Sequence, residues 1–342
     1  MAKQNKDLTF LTLNAENLFI LSETPLTESH TRMNEHEWAN LSSAIFENKP
    51  LRKIRGLVAV IEEAAPDIIL LSEVGGQESL ENFNRLFLQE KYFCALIEGN
   101  SDRHIDVGFL IKKDIGCFFD IQSNKNRPIH FLYPHEQATL QQGLLLLKNG
   151  KPFTSHRFSR DVAELHLFTK DRAKPSFIAL LTHLKSLRDP DGIDPGGTLR
   201  RTAECETLVE IYLEVEKKYP QIPILVAGDF NGTAALQNTD AEFKSIYEKT
   251  QLRDVCDLAQ LPFPDRATYF QIDRSQRVDS RQIDYCFLSP VAQNFLDTST
   301  VKVHPYMDDM GTPLGVPQTL EAKFQYPSDH RPIIFKLKNF PF

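Results

Sequence analysis

Polar residues able to do metal-assisted phosphate chemistry stand at the ends of short apolar runs along this chain. They are Asn14, Glu73, His183, Asp229 with Asn231, Asp284, and the pentad Tyr326-Pro327-Ser328-Asp329-His330, which precedes the last apolar strand. Carboxylates, amides and imidazoles at strand ends are what attack on a phosphate ester needs. Glu73 follows Ile68 to Leu71 with no basic neighbour in sequence. It is either a solvent-facing strand end or a ligand for a hard cation such as Mg²⁺, which favours one or two carboxylates. Asp229 and Asn231 stand two apart in a loop with glycine on both sides. That is a turn composition, but it also lets two side chains face one way. One could then orient or deprotonate water while the neutral amide donates to a phosphate oxygen. His183 is followed by Lys185, Ser186 and Arg188, which could form a small anion pocket or simply be solvated.

The elements that must position these residues can be read from periodicity. Leu8 to Leu13 reads as a buried strand, and Leu51 to Ala64 repeats apolar residues at helical spacing. Ile68 to Leu71 is a short apolar strand, and Gly75-Gly76 turn into a second helix near Ser79 to Gln89. Strands are expected over Ile105 to Ile111, Val162 to Phe168, Phe177 to Leu181, Ile222 to Ala227, Ile283 to Leu288 and Pro332 to Leu337. Thr198 to Lys218 is a long amphipathic helix that stops before Pro220. Strands outnumber helices, and helices fall between several of them, so a mixed α/β or α+β sandwich is expected. The stretches Asp189 to Gly197 and Met310 to Pro317 are expected to be loops near the site.

The net charge of -7 denies the chain the global basic footprint of an avid nucleic-acid binder. An enzyme with a local basic groove and a divalent cation is still compatible. No long apolar segment suggests a signal peptide or a membrane span. Cys94, Cys117, Cys205, Cys256 and Cys286 are scattered, without a Cys-x-x-Cys pair. Reduced, buried cysteines in a cytoplasmic protein are expected, with no obligate protein partner.

Taken together, the segments resemble the endonuclease/exonuclease/phosphatase superfamily of deoxyribonuclease I-like metal-dependent phosphoesterases. The resemblance rests on Thr12 to Phe19, Pro66 to Val74, Thr182-His183-Leu184-Lys185-Ser186, Gly228-Asp229-Phe230-Asn231, Ile283-Asp284-Tyr285 and Ser328-Asp329-His330, in family order from about residue 8 to 337. It implies one domain over residues 1–342: a four-layered α/β sandwich, two mixed sheets face to face with helices outside. It implies Mg²⁺ or Mn²⁺ on Glu73, with Asn14 ordering the metal or the phosphate and Asp329 near the metal or a second one. Asp229 would activate water, Asn231, His183 and His330 would bind the phosphoryl group, and Asp284 would orient His330. Asn17 is expected to be structural. Arg103 resembles an arginine brought towards substrate, Arg160 less so, and Thr268-Tyr269 resembles a pair that precedes the Ile-Asp-Tyr motif.

A nuclease on DNA or RNA is the first expectation for substrate. Lys185, Arg188, Arg200 and Arg201 are its candidate groove residues, beside Arg103 and Ser186. A phosphatase or phosphodiesterase acting on a small molecule or phospholipid is the second. A catalytically silent binding protein is the third, and the nearly complete polar set argues against it.

Overall fold

The structure is a computed structural model that describes residues 5–148, 150–169, 173–273 and 275–341. Its strands in chain order are β1 (Asn5–Leu18), β2 (Ile68–Val74), β3 (Tyr92–Leu96), β4 (Asp106–Lys112), β5 (Phe118–Ser123), β6 (Leu147–Lys148), β7 (Lys151–Pro152) and β8 (Val162–Phe168). They continue with β9 (Phe177–His183), β10 (Ile224–Asp229), β11 (Arg253–Asp254), β12 (Tyr269–Ile272), β13 (Val278–Arg281), β14 (Asp284–Leu288), β15 (Leu296–Val303) and β16 (Ile333–Pro341). Two six-stranded sheets result, with orders β15-β16-β1-β2-β4-β3 and β11-β14-β10-β9-β8-β5. Each is mixed: β1 runs parallel to β2 and antiparallel to β16, and β10 runs parallel to β9 and antiparallel to β14.

The layering follows from period-two alternation in strands that are apolar on both faces. Along β2, Ile68 and Leu70 enter one core while Ile69 and Leu71 enter another. Along β9, Phe177, Ala179 and Leu181 join that first core while Ile178 and Leu180 enter a third. The shared core therefore lies between the sheets, with Phe10 stacked on Phe335 at 5.2 Å and tilted 41° against Phe177 at 5.1 Å. The helices Leu51–Ala64 and Gly76–Phe87 cover the outer face of the first sheet through Ile54, Leu57, Leu80 and Phe83. The helix Thr198–Lys218 covers the second through Leu208, Val209 and Tyr212. This is the four-layered sandwich expected from the sequence.

The expected helices at 51–64 and 198–218 form over the same residues, and the second helix lies at Gly76–Phe87. Besides the short strands β6, β7, β11, β12 and β13, the sequence reading omits β3, β5 and β15. The last two lie at or near sheet edges and expose much of their length, so Phe118–Ser123 and Leu296–Val303 lack the unbroken apolar run of a central strand. The five cysteines are free, Cys205, Cys256 and Cys286 being buried. Among the described residues no helix is long and apolar enough to cross a membrane.

The second sheet carries a buried carboxylate at its edge. Asp254 accepts from Gln282 Nε2 at 2.9 Å and Cys286 N at 3.1 Å, and burial pushes its pKa up to about 6 despite those bonds. A buried acid raised in this way is neutral and stabilising below about pH 4, and that contribution is lost as pH rises through about 6. Asp254→Asn should therefore flatten the fall of thermal stability between pH 4 and pH 6.5, by up to about 3 kcal/mol. The asparagine oxygen can keep one of the two bonds that Asp254 now accepts. A pH series of melting temperatures for the two proteins checks this, and parallel curves would count against it.

Candidate active site

Strand direction and register bring the polar residues to one end of the sandwich. In the second sheet, Asp229 of β10 pairs with His183 of parallel β9 and with Asp284 of antiparallel β14, so the three lie side by side. In the first sheet, Asn14 of β1 pairs with Ser72 of β2, one residue before Glu73. His330 stands three residues before β16, the other neighbour of β1. The approach of β9 and β10 needs Gly228, with φ +135°, because a Cβ there would lie 1.8 Å from Thr182 O.

Hydrogen bonds then join the two sheets. Asn14 Nδ2 donates to Asp229 Oδ2 at 2.9 Å, while Asp229 Oδ1 accepts from Asn231 N at 2.8 Å. Asp284 Oδ2 takes His330 Nδ1 at 2.8 Å, and the other ring nitrogen lies 3.9 Å from Asp229 Oδ2. Asp284 is held in turn by Thr268, whose hydroxyl accepts from the Ile283 and Asp284 amides at 3.1 and 3.2 Å. Ser328 Oγ donates to Asn14 O at 2.7 Å and accepts from His330 N, and Tyr306 donates to His330 O at 2.8 Å. His183 Nε2 lies 3.6 Å from Asp229 Oδ2 and 4.0 Å from Glu73 Oε1. Glu73 Oε2 accepts from Asn17 N at 3.0 Å, and Arg103 Nη2 donates to Asn17 Oδ1 at 2.6 Å.

Burial sets the protonation states. His183 is held well below the usual histidine value, first by burial and then by the Arg160 and His330 charges. His330 pays the same burial penalty, but Asp284 and Asp229 outweigh it and raise its pKa well above the ordinary value. Two buried imidazoles in one site are therefore pushed in opposite directions. Asp229 is pushed up to about 7 by burial, which exceeds the opposing pull of His330. Burial also acts to raise Asp329, but His330 and Lys323 win and leave its carboxyl below the usual value.

Some of the chain's left-handed backbone lies at the same place. Glu16, Asn17, Glu73 and Asn231 have φ of 49°, 54°, 60° and 54°. Left-handed conformations at non-glycine residues cost on the order of 1–3 kcal/mol each and concentrate at functional sites.

Two groups could receive a divalent cation. Glu73 Oε1 has no hydrogen bond among the described residues and lies 4.0 Å from His183 Nε2, whose ring is buried with Nδ1 unpartnered. A carboxylate with one bare oxygen in such a place suits Mg²⁺ or Mn²⁺. Ligand atoms of Asp229, Asp284 and His330 also lie within 4.8 Å of one another. The short bond between His330 and Asp284 already satisfies one face of that group, so it suits proton handling better. Asn14 has both amide ends engaged, with Oδ1 accepting from Glu16 N at 2.9 Å, and Asp329 is paired with Lys323 at 3.4 Å.

The basic residues fall differently from the sequence reading. Lys185 Nζ donates to the carbonyls of Ser186 and Arg188, its own loop. Arg200 pairs with Glu204, and Arg201 is buried against Glu242 and the carbonyls of Lys185 and Gly196. Arg200 and Arg201 thus brace the Thr198–Lys218 helix rather than line a groove. Arg160 is buried, which lowers its pKa, while the charges of Glu204, Glu73 and Asp229 act to keep it protonated. Positive charge instead stands beside Glu16: Lys53 Nζ is 2.7 Å from its carboxylate and Lys49 Nζ donates to its carbonyl at 3.0 Å. The sequence shows no periodic or motif signal for Lys49 and Lys53 as site neighbours, because only the fold brings them to residue 16.

Residues 38–330 match the family described as Endonuclease/Exonuclease/phosphatase family. No curated protein matches the chain in sequence. Solved structures share the fold: D. rerio TDP2 complexed with single strand DNA product has TM-score 0.55 at 15% identity, covering 97% of this chain and 99% of that one. The human Nocturnin catalytic domain with bound sulfate has TM-score 0.54 at 16% identity, covering 98% and 95%. An endonuclease/exonuclease/phosphatase family protein from Bacteroides thetaiotaomicron has TM-score 0.54 at 13% identity, covering 98% and 99%. With the match spanning most of its length, the chain belongs to the endonuclease/exonuclease/phosphatase family, whose members are divalent-metal-dependent hydrolases of phosphate esters.

Proposed function

We propose that this protein is a divalent-metal-dependent nuclease that hydrolyses phosphodiesters by in-line attack of water. The observation that carries the reading is the environment of Asp229. It is a buried carboxylate oriented by Asn14 and Asn231 N, with a neutral imidazole 3.6 Å away on one side and a charged one 3.9 Å away on the other. A carboxylate raised towards neutrality by burial is suited to take a proton from water. His330, kept protonated by Asp284, places positive charge where the transition state gathers negative charge. His183, kept neutral, can donate one ring N–H to a phosphoryl oxygen without competing for a proton. Asn231 donates to Leu184 O at 3.0 Å, and its second amide hydrogen is available to substrate.

Glu73 would hold Mg²⁺ or Mn²⁺, with Asn14 and Asp329 as neighbours. The cation would polarise the phosphoryl oxygen and stabilise the leaving group. Nucleic acid as substrate is supported by the Arg103 charge on Asn17, whose backbone N–H holds Glu73, and by the Lys49 and Lys53 charges on adjacent Glu16, in an otherwise acidic chain. The fold shared with a TDP2 that binds single strand DNA product is in keeping with it.

Purified protein should nick supercoiled plasmid with Mg²⁺ or Mn²⁺, and EDTA should abolish the reaction. Asp229→Asn should lower the rate by about 10²–10⁴, and nicking by the variant at the wild-type rate would sink the assignment. If the wild type cleaves no nucleic acid, phosphomonoesters, inositol phosphates and phospholipids become the substrates to assay.

The pH profile tests the division of roles. Activity should rise with pH as Asp229 ionises and fall as His330 loses its proton. Asp284 raises both groups, so Asp284→Asn should move both limbs to lower pH. It should also cut the maximum by about tenfold or more. A lowered maximum with neither limb moved would show that Asp284 serves folding alone.

A further inference from the structure

Beside Glu73, a groove of about 400 Å³ opens between the end of β1 and the chain that leads into the Leu51–Ala64 helix. Its walls differ. One is apolar: Phe46 stacks on buried Phe19 with centroids 4.9 Å apart and planes 6° from parallel, and His104 packs edge-on against Phe46 at 5.4 Å. Ile45 projects beside them, 89% exposed. The other wall is charged: Lys49 and Lys53 pair with Glu16, Arg103 bonds Asn17, and exposed Glu47 also lines it, so three cations stand against two carboxylates. Lys49 is itself buried, and burial pulls its pKa down to about 8.

Packing does not account for this arrangement. An isoleucine left almost fully in water contributes nothing to the core. The loop behind it is nonetheless held in place: Lys49 N donates to Phe19 O at 2.9 Å, Trp38 Nε1 to Lys49 O at 2.9 Å, and Asn48 bonds Leu21 N at 2.7 Å and Leu21 O at 2.8 Å. An exposed apolar tip on a braced loop is organised for contact with something outside the chain. The groove is continuous with the site through Asn17, which bonds Glu73 and Arg103 and also lines the groove.

We propose that this groove is a subsite for one nucleotide of a single-stranded polynucleotide, the base lying against Phe46 and Ile45 and its phosphate meeting Lys53 and Arg103. The proposal rests on the nuclease reading and extends it to the mode of substrate binding. Stacking on an aromatic face beside cations is the general means of holding an unpaired base without reading its sequence. The volume is at the small end of the range for ligand pockets, suited to one monomer unit. An acyl chain would set methylenes against the ammonium groups of Lys49 and Lys53 and the carboxylate of Glu16, at a desolvation cost.

Binding in EDTA separates this inference from the catalytic one. Fluorescence anisotropy would follow labelled oligothymidylate, an abasic oligomer of the same length, and phosphatidylcholine/phosphatidylserine vesicles. Wild type should prefer oligothymidylate to the abasic chain. Phe46→Ala should weaken oligothymidylate about tenfold and leave the abasic chain unchanged, and Phe46→Trp should restore binding. Lys53→Gln should weaken both oligomers and reduce the slope of log affinity against log salt by about 0.7. Equal binding of the two oligomers, no effect of Phe46→Ala, or binding to vesicles alone would overturn the subsite. If the subsite holds but plasmid is never cleaved, the catalytic reading is the one that fails.

Discussion

The site depends on two hydrogen bonds that cross between the sheets, Asn14 to Asp229 and His330 to Asp284. Each sheet is a complete apolar structure without them. Neither sheet alone holds the chemistry, because Asp229, Asp284 and His183 belong to one and Asn14, Glu73 and His330 to the other or its approach. The inter-sheet core fixes the gap between these groups. Phe10 packed between Phe335 and Phe177 sets the separation of the strands that carry Asn14 and His183. Packing that is close to crystalline in density transmits such a separation with little slack, so the apolar core determines the distances in the polar site.

The same burial sets the electrostatics. Asp229 and Asp284 are direct cross-strand partners, an arrangement that repels unless a cation or proton stands between them. His330 supplies that charge, which is why its proton is retained in a place where burial alone would remove it. His183 lies 3.6 Å from Asp229 and 4.0 Å from Glu73 without a short carboxylate bond, and burial together with the Arg160 and His330 charges holds its pKa down. The difference lies in the neighbours, since both rings are buried. Left-handed backbone at Glu73, Asn17 and Asn231 adds strain at the same end, which the three apolar cores must offset.

Much of this was legible in sequence, and the part that was not has a physical cause. Strand ends such as Glu73 and His183 announce themselves because a central strand, apolar on both faces, makes any polar residue at its end conspicuous. The helices Leu51–Ala64 and Thr198–Lys218 show their periodicity for the same reason. Edge strands β5 and β15 do not, since half or more of their surface faces water. Charged residues were least legible. Arg201 follows His183 closely enough to suggest a groove, but Glu242, 41 residues on, buries it in an ion pair. Lys49 is placed by a loop held through Asn48 bonding Leu21, and Lys53 by the first turn of the helix that follows it, a combination that no local pattern announces.

That distribution would reconcile an acidic chain with the polyanionic substrate proposed for it. Net charge governs approach from beyond a Debye length, about 8–10 Å at ordinary ionic strength. Within that distance local charge decides. Here the local charge is arranged in sequence along one path: Lys53 and Lys49 at Glu16, Arg103 at Asn17, then Glu73. Glu16 holds the two ammonium groups together in the absence of ligand and spares them full mutual repulsion. A phosphate entering the groove would compete with Glu16 for the same cations, so each contact is worth less than a free lysine would give. Affinity at such a site must then come substantially from the apolar wall, which gives the exposed face at Ile45 and Phe46 its reason to exist.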